Sequence, residues 1–262
     1  MDFLKTILLG VIQGLTEFLP VSSSGHLVIF QRIFGIEGAG VTLEVLLHFG
    51  TLLAVLLVFW RDFLNLLKFP RDTVQRRFLL LLILGCIPTA LIGYFLGDFV
   101  KSIFHSLPLT GAALLVTGVI LKVLTLLPEG KKDIGTMKPV DALWVGLLQG
   151  IAIIPGISRS GSTITAALWR GLDRNTAVRY SFMLAAPVIF GATLLEVKEL
   201  ITVGMDLSLL WSYTAATAAA FVTGVLAIKV FIRLLQQRKF HYFVYYCWVL
   251  GVAVIVASFL IG

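Results

Sequence analysis

Charged side chains are scarce in this chain of 262 residues. Asp, Glu, Lys and Arg make up 13% of it, against 58% hydrophobic residues and a mean hydropathy of +0.99. That balance excludes an ordinary soluble domain, in which about 25% of residues are charged. Acidic residues are the scarcer kind, 14 against 21 basic ones, for a formal charge of +7. The basic excess does not point to nucleic acid, because it is confined to short gaps between apolar runs, the habit of cytoplasmic loops. Cysteine is scarce as well. Cys86 and Cys247 both sit in apolar runs, so there is no disulfide framework, and no His/Cys set suits zinc. The N-terminus lacks a basic region, a short apolar core and a small-residue cleavage site in succession, so no cleaved signal peptide is expected.

Apolar stretches of spanning length are abundant. About 20 residues cross the hydrocarbon of a bilayer, and 41–60, 78–97, 109–127, 180–198, 209–232 and 242–261 qualify. Two further apolar regions, 1–30 and 142–170, are interrupted by Pro, Gly and Ser. Irregular backbone at membrane depth is tolerated only where protein or a water-filled cavity surrounds it, so each reads as two half-helices that enter the bilayer and turn back. The expected fold is an all-α integral membrane protein with six transmembrane helices plus two re-entrant half-helix pairs. Loop 61–77 carries five basic residues (Arg61, Lys68, Arg71, Arg76, Arg77), 128–140 three (Lys131, Lys132, Lys138) and 229–241 four (Lys229, Arg233, Arg238, Lys239). By contrast, 98–108 carries one and 199–208 none. This alternation puts the rich loops in the cytoplasm and both termini outside, with Arg32 the main exception. Trp60, Trp144, Trp211, Tyr242, Tyr245 and Tyr246 lie near span ends and read as interfacial anchors.

Shifting the chain by 136 residues superposes Gly10 on Gly146, Gln13 on Gln149, Gly14 on Gly150, Ser22 on Ser158, Ser24 on Ser160, Gly25 on Gly161 and Gly35 on Gly171, and Glu37 falls on Asp173. Pro20 and Pro155 are out of step by one. Three spans separate the two broken regions, an odd number, so the second copy is inverted relative to the first. The repeats cover approximately 1–127 and 141–262, joined by the cytoplasmic loop 128–140. Inverted repeats with discontinuous helices meet near the bilayer midplane and form the binding site there, which predicts one site built from 13–26 and 155–163.

The two broken segments carry different chemistry. The first holds Glu17, three adjacent hydroxyls (Ser22, Ser23, Ser24) and His26; the second reads Pro155-Gly-Ile-Ser-Arg-Ser-Gly-Ser-Thr163. A guanidinium buried in a membrane needs an anionic partner, glycine-rich turns present amides, and helix N-termini favour anions. Gly156, Ser158, Arg159, Ser160, Gly161 and Thr163 therefore read as a phosphate cradle, with Arg159 as the clamp and Ser24 and Gly25 on the facing turn. Glu17, Ser23 and His26 are of the types that activate a hydroxyl or water and protonate a leaving oxygen. Gln13 shares a helix face with Glu17, and a carboxylate beside an amide oxygen suits Mg²⁺ or Ca²⁺. Glu44 and His48, four apart, read as cavity-lining or as a structural pair, and Gln149 as cavity-lining or as a partner for backbone groups freed by its broken helix. The plain alternative for Glu17 and Arg159 is an ion pair that fixes packing. For Ser22 and Ser162 it is capping or interhelical hydrogen bonding.

Gln13-Gly-Leu-Thr-Glu17-Phe-Leu-Pro-Val-Ser-Ser-Ser-Gly-His26 and Pro155-Gly-Ile-Ser-Arg-Ser-Gly-Ser-Thr163 resemble the two signature motifs of the undecaprenyl-pyrophosphate phosphatase family, also called bacitracin-resistance proteins. The likeness covers the whole chain. It implies removal of the terminal phosphate of a C55 isoprenyl pyrophosphate at the outer face of the bacterial plasma membrane, recycling the lipid carrier of cell-wall synthesis, with a divalent cation. It implies Glu17 as the key carboxylate, Ser23 and His26 as nucleophile and base, and Arg159 as the phosphate-binding cation. Either Ser23 attacks with His26 as base, or His26 attacks directly. Where many relatives have Glu, this chain has Gln13, which suits metal ligation or hydrogen bonding. The partners implied are the lipid substrate and membrane lipids, no nucleic acid, and a homodimer is compatible. A transporter or flippase for a phosphorylated isoprenyl lipid is the alternative, since broken-helix repeats also build alternating-access proteins; a carrier needs Arg159 but neither nucleophile nor base.

Overall fold

A computed structural model of the chain describes residues 2–36, 40–203, 209–237 and 239–261. Eleven helices account for most of them: α1 (Phe3–Phe18), α2 (Ser23–Phe34), α3 (Gly40–Val58), α4 (Trp60–Leu66), α5 (Thr73–Ile103), α6 (Leu107–Leu126), α7 (Pro139–Ile151), α8 (Arg159–Trp169), α9 (Arg174–Val203), α10 (Leu210–Gln236) and α11 (His241–Ile261). By length and apolarity α5, α6, α9, α10 and α11 each suffice to cross a membrane. A sixth span is reached if α3 and α4, bent by 75° at their junction, count together. With so little charge on helices of this length, the chain is an all-helical integral membrane protein. Glu37 of the superposed repeat lies outside the described residues.

Helix ends depart from the apolar runs. α5 begins at Thr73 and α9 at Arg174, several residues into stretches expected to be loop, because Gln, Arg and Asn tolerate helix as well as water. These polar first turns meet at one end of the bundle. There Arg179 pairs with Asp62 at 2.7 Å, Arg77 donates to the Met137 carbonyl at 2.8 Å and Arg174 to that of Leu235 at 3.4 Å. The linker between α6 and α7 is tied down at the same end. Lys131 and Lys132 N–H donate to the Gly171 carbonyl, and Asp173 N–H donates back to that of Lys132. Fully buried Asp141 caps α7 by accepting from Lys138 N–H at 2.9 Å and pairs with Lys132 and Arg170 at 3.0 and 2.8 Å.

The two interrupted regions fold as helix–turn–helix pairs, α1–α2 and α7–α8, and each leans on a long helix: α1 on α10, α7 on α5. Contact is close because small residues line both seams. A Cβ on Gly10 would fall 2.2 Å from the Ala216 carbonyl oxygen, and one on Gly146 2.0 Å from that of Gly85. Approach this close is how helices associate in lipid, where burying apolar surface gives no drive.

Candidate active site

Each pair turns on a tip that follows the same local plan. Ser22 caps α2 by accepting from Gly25 N–H at 3.3 Å, and Ser158 caps α8 by accepting from Gly161 N–H at 3.1 Å. The tips touch one another. Gly25 faces Gly156 so closely that a Cβ on Gly25 would sit 3.1 Å from the Gly156 Cα. Gly156 N–H donates to Ser22 Oγ at 3.1 Å, and Ser160 Oγ donates to the Leu19 carbonyl at 3.3 Å. Two backbone conformations make this fit. Gly156 has φ +97°, and Ser22 is the one non-glycine residue with positive φ, +68°, among those described. For a residue with a Cβ that conformation is strained and needs support from its surroundings.

The support for Ser22 comes from a histidine and a tyrosine. His26 Nδ1 bonds the Ser22 carbonyl at 2.7 Å and Nε2 bonds Tyr246 Oη at 2.6 Å, with the two rings stacked 5.7 Å apart. Both nitrogens are thus committed, and His26, 2% exposed, is absent from the cavity wall. This corrects the expected pairing of His26 with Ser23. Tyr246 corrects another reading. Its ring is half exposed, as an interfacial anchor's should be, yet its hydroxyl reaches inward to His26.

Ser23 instead donates its hydroxyl to Glu17 Oε2, to which Gln13 Nε2 also donates at 3.0 Å. Arg159 Nη2 pairs with the other carboxylate oxygen at 2.5 Å. Ser23 and Arg159 are both the first residue of their helix and lie 136 apart, so matching positions in the two tips converge on one carboxylate. A cavity of about 260 Å³ opens beside them, lined by Glu17, Ser23, Ser24, Glu44, His48, Gln149, Ser158 and Arg159 among others. Glu44 accepts from Gln31 at 2.9 Å, and His48 Nδ1 bonds the Glu44 backbone carbonyl at 2.8 Å, so the two side chains line the wall without pairing.

The amide cradle is corrected too. The N–H groups of Gly156, Ser158 and Gly161 are taken by Ser22 Oγ, Thr117 Oγ1 and Ser158 Oγ, so these three do not serve an anion. Thr163 faces away, bonding Ser181 Oγ and the Arg159 carbonyl, and Ser160 and Gly161 lie in the seam. Ser162 Oγ has no partner in place of the expected capping role. Thr117 receives Ser158 N–H and donates to the Gly156 carbonyl at 2.8 Å, a role with no signal in the sequence, where it is one threonine inside an apolar run.

Hard divalent cations take oxygen ligands, and Mg²⁺ uses one or two carboxylates and completes its sphere with water and substrate phosphate. Glu17 and Glu44 share the cavity, and Gln13 Oε1 is buried without a partner next to Glu17. Among the described residues no group of three or more His, Cys, Asp or Glu could hold a metal alone. The donors present fit a hard cation shared with a phosphate, and do not fit a closed protein-only metal centre.

A buried carboxylate, a guanidinium and a line of hydroxyls around a cavity within apolar helices define a membrane protein that handles a phosphate-like anion. The bacitracin resistance protein BacA family matches residues 6–253, and the chain belongs to that family. It is 46% identical over 259 residues to an undecaprenyl-diphosphatase of Halothermothrix orenii, covering 98% of this chain and 99% of that one. An undecaprenyl-diphosphatase of Carboxydothermus hydrogenoformans is 40% identical over 258 residues (98% and 97% covered), and undecaprenyl-diphosphatase 4 of Bacillus thuringiensis 39% over 259 (99% and 98%).

Proposed function

We propose that this chain is an undecaprenyl-diphosphate phosphatase, a hydrolase that cleaves the phosphoanhydride of a C55 isoprenyl diphosphate and leaves the lipid monophosphate. The family and the full-length relatives support the activity. The observation that carries the site assignment is the convergence of Ser23 and Arg159 on Glu17 where the two tips meet. A buried ion pair by itself adds little stability, so its position on a cavity wall argues for chemistry.

In the proposed mechanism the terminal phosphate enters beside Arg159, whose Nη1 is buried and unpartnered, and the guanidinium clamps its oxygens. Glu17 accepts the Ser23 proton as Ser23 Oγ attacks phosphorus in line with the bridging oxygen. The bridging P–O bond breaks and the lipid monophosphate departs, taking that proton from Glu17. Water then attacks the phosphoserine and gives its proton to Glu17, which passes one to Ser23 Oγ as the Oγ–P bond breaks, restoring Ser23 and freeing inorganic phosphate. Arg159, Ser24 and Ser158 stabilise charge on the equatorial oxygens. Glu17, with Gln13 and Glu44, would hold a Mg²⁺ or Ca²⁺, which when bound neutralises phosphate charge. His26 acts at one remove, holding the Ser22 turn that aims Ser23.

The proposed topology has six spans, with α3–α4 as the bent one, and two re-entrant pairs in inverted repeats, the site opening to the outer, periplasmic face. The gathering of basic loops at one end supports this orientation. So does the cavity wall, drawn from early α3 (Glu44, His48), the turn after α5 (Phe104) and the later half of α9 (Val188 to Thr193), all remote from that end. The test is phosphate release from C55 isoprenyl diphosphate by detergent-purified protein, with and without EDTA. Release that requires a divalent cation supports the reading. Folded protein that releases none across metals and lipid chain lengths overturns it.

A further inference from the structure

The cavity has two unlike walls. The two tips and α3 contribute Glu17, Ser23, Ser24, Ser158, Arg159, Glu44 and His48, whereas α5, α7 with the turn after it, and α9 contribute Thr89, Gln149 and Thr193 among apolar residues such as Ile153, Val188 and Ala192. The chemistry proposed above uses the charged wall alone. Yet Gln149 Oε1 and Thr193 Oγ1 are buried without partners, on side chains that are 1% and 7% exposed. Burying an unpaired polar atom is costly and uncommon. Two of them on one cavity wall, from two helices, mark where a ligand completes the bonding. Thr165 and Thr110 also hold unpaired hydroxyls, but neither lines the cavity.

Thr89 shows that the carboxamide is held for a purpose. Its hydroxyl accepts from Gln149 Nε2 at 3.2 Å and donates to the Gly146 carbonyl at 2.9 Å. The amide therefore keeps one N–H to spare, and half a turn of it, with Thr89 giving its proton to the amide oxygen and releasing the Gly146 carbonyl, would present Nε2 where Oε1 now lies. With the Thr193 hydroxyl, this wall offers neutral donors, flanked by apolar side chains.

We propose that Gln149 and Thr193, positioned by Thr89, form a second phosphate subsite that takes the lipid-linked phosphate of an isoprenyl diphosphate, the one the product retains. The inference rests on the phosphatase reading. Its logic is a division of labour. The transferred phosphate meets Arg159, whereas the retained phosphate leaves with the bridging oxygen and its electron pair and must then be let go, which neutral donors allow. The apolar residues of the same wall receive the first isoprene units.

The experiment compares wild type with Gln149→Leu, Thr193→Val and Thr193→Ser, using farnesyl diphosphate as substrate and farnesyl monophosphate as competing ligand. Loss of a hydrogen bond to a charged ligand corresponds to roughly tenfold in affinity. The KM for the diphosphate and the Ki of the monophosphate are expected to rise together by about that factor in Gln149→Leu and Thr193→Val, with any fall in kcat smaller than the loss in binding. Thr193→Ser, which restores the hydroxyl, should recover most of the loss, and the isosteric Val should leave thermal unfolding in detergent unmoved. Inhibition by inorganic phosphate should stay as in wild type, since it engages the charged wall. Unchanged KM and Ki in both variants would mean that water alone fills the subsite and would sink the proposal. A loss confined to kcat would do the same. Wild-type protein that releases no phosphate from either farnesyl or C55 isoprenyl diphosphate would instead refute the phosphatase reading.

Discussion

The tips of α1–α2 and α7–α8 are built alike and equipped differently. In both, a serine caps the second helix, a glycine three residues later gives its N–H to that serine, and a glutamine on the first helix keeps a buried unpaired oxygen. A glycine with positive φ follows the second helix in each, Gly35 and Gly171. The differences fall where chemistry happens. Glu17 stands opposite Ile153, Ser23 opposite Arg159, and His26 opposite Ser162 in the 136-residue register. The left-handed position is shifted as well, falling on Ser22 in the first tip, where it is strained, and on Gly156 in the second, where it is not. One framework thus supplies an acid with its hydroxyl from one side and a cation from the other, and neither tip holds a complete set.

Substitutions that erase a difference between the tips should hurt most. Ser23→Ala removes the proposed nucleophile and should lower phosphate release at least about 10³-fold with lipid binding retained, read as initial rate beside a binding titration. Full activity in that variant would break the assignment. Arg159→Lys keeps the charge and loses the planar fork, so a fall of about 10²-fold in kcat/KM is expected, and an equal effect from Arg159→Gln would show that charge alone matters. Gly156→Ala tests the backbone half of the comparison. Its φ is +97° and an added Cβ would lie 2.5 Å from the Thr110 carbonyl oxygen. It should cost about 2–4 kcal/mol of stability by the strain and overpacking involved, and Gly25→Ala, whose nearest contact is 3.1 Å, should cost less. The smallest effect is expected from Tyr246→Phe, which keeps the ring stack and frees His26 Nε2. About a tenfold loss in kcat with KM unchanged would mark Tyr246 as a positioning residue; no loss would make the contact structural only.

Much of this was legible in the sequence, and for identifiable reasons. Spans are read from apolarity, which a bilayer enforces along the whole length of a helix, and both broken pairs were legible because Gly, Pro and Ser interrupt otherwise apolar runs. The meeting of 13–26 with 155–163 followed from the repeat. Helix ends were less legible, since the polar first turns of α5 and α9 lie beyond the apolar signal. The partner of His26 was not legible at all. It sits 220 residues away, and a tyrosine near a span end looks like an anchor whether or not its hydroxyl turns inward. The pairing of Ser23 with His26 comes from the motif resemblance, which carries no information on where either side chain turns. The strained Ser22 turns the imidazole back onto its own backbone, and Glu17 takes the hydroxyl.

The seam between the tips also bears on movement. Glycine against glycine leaves no side chain to bend aside, and Glu17–Arg159, Ser22–Gly156 and Ser160–Leu19 cross it as polar ties. A carrier that rocked one half over the other would have to part those ties in every cycle. The seam acts as a keystone between two leaning arms. On the proposed function it would hold the halves together, so that a lipid headgroup comes to a fixed centre while the hydrocarbon outside does the moving.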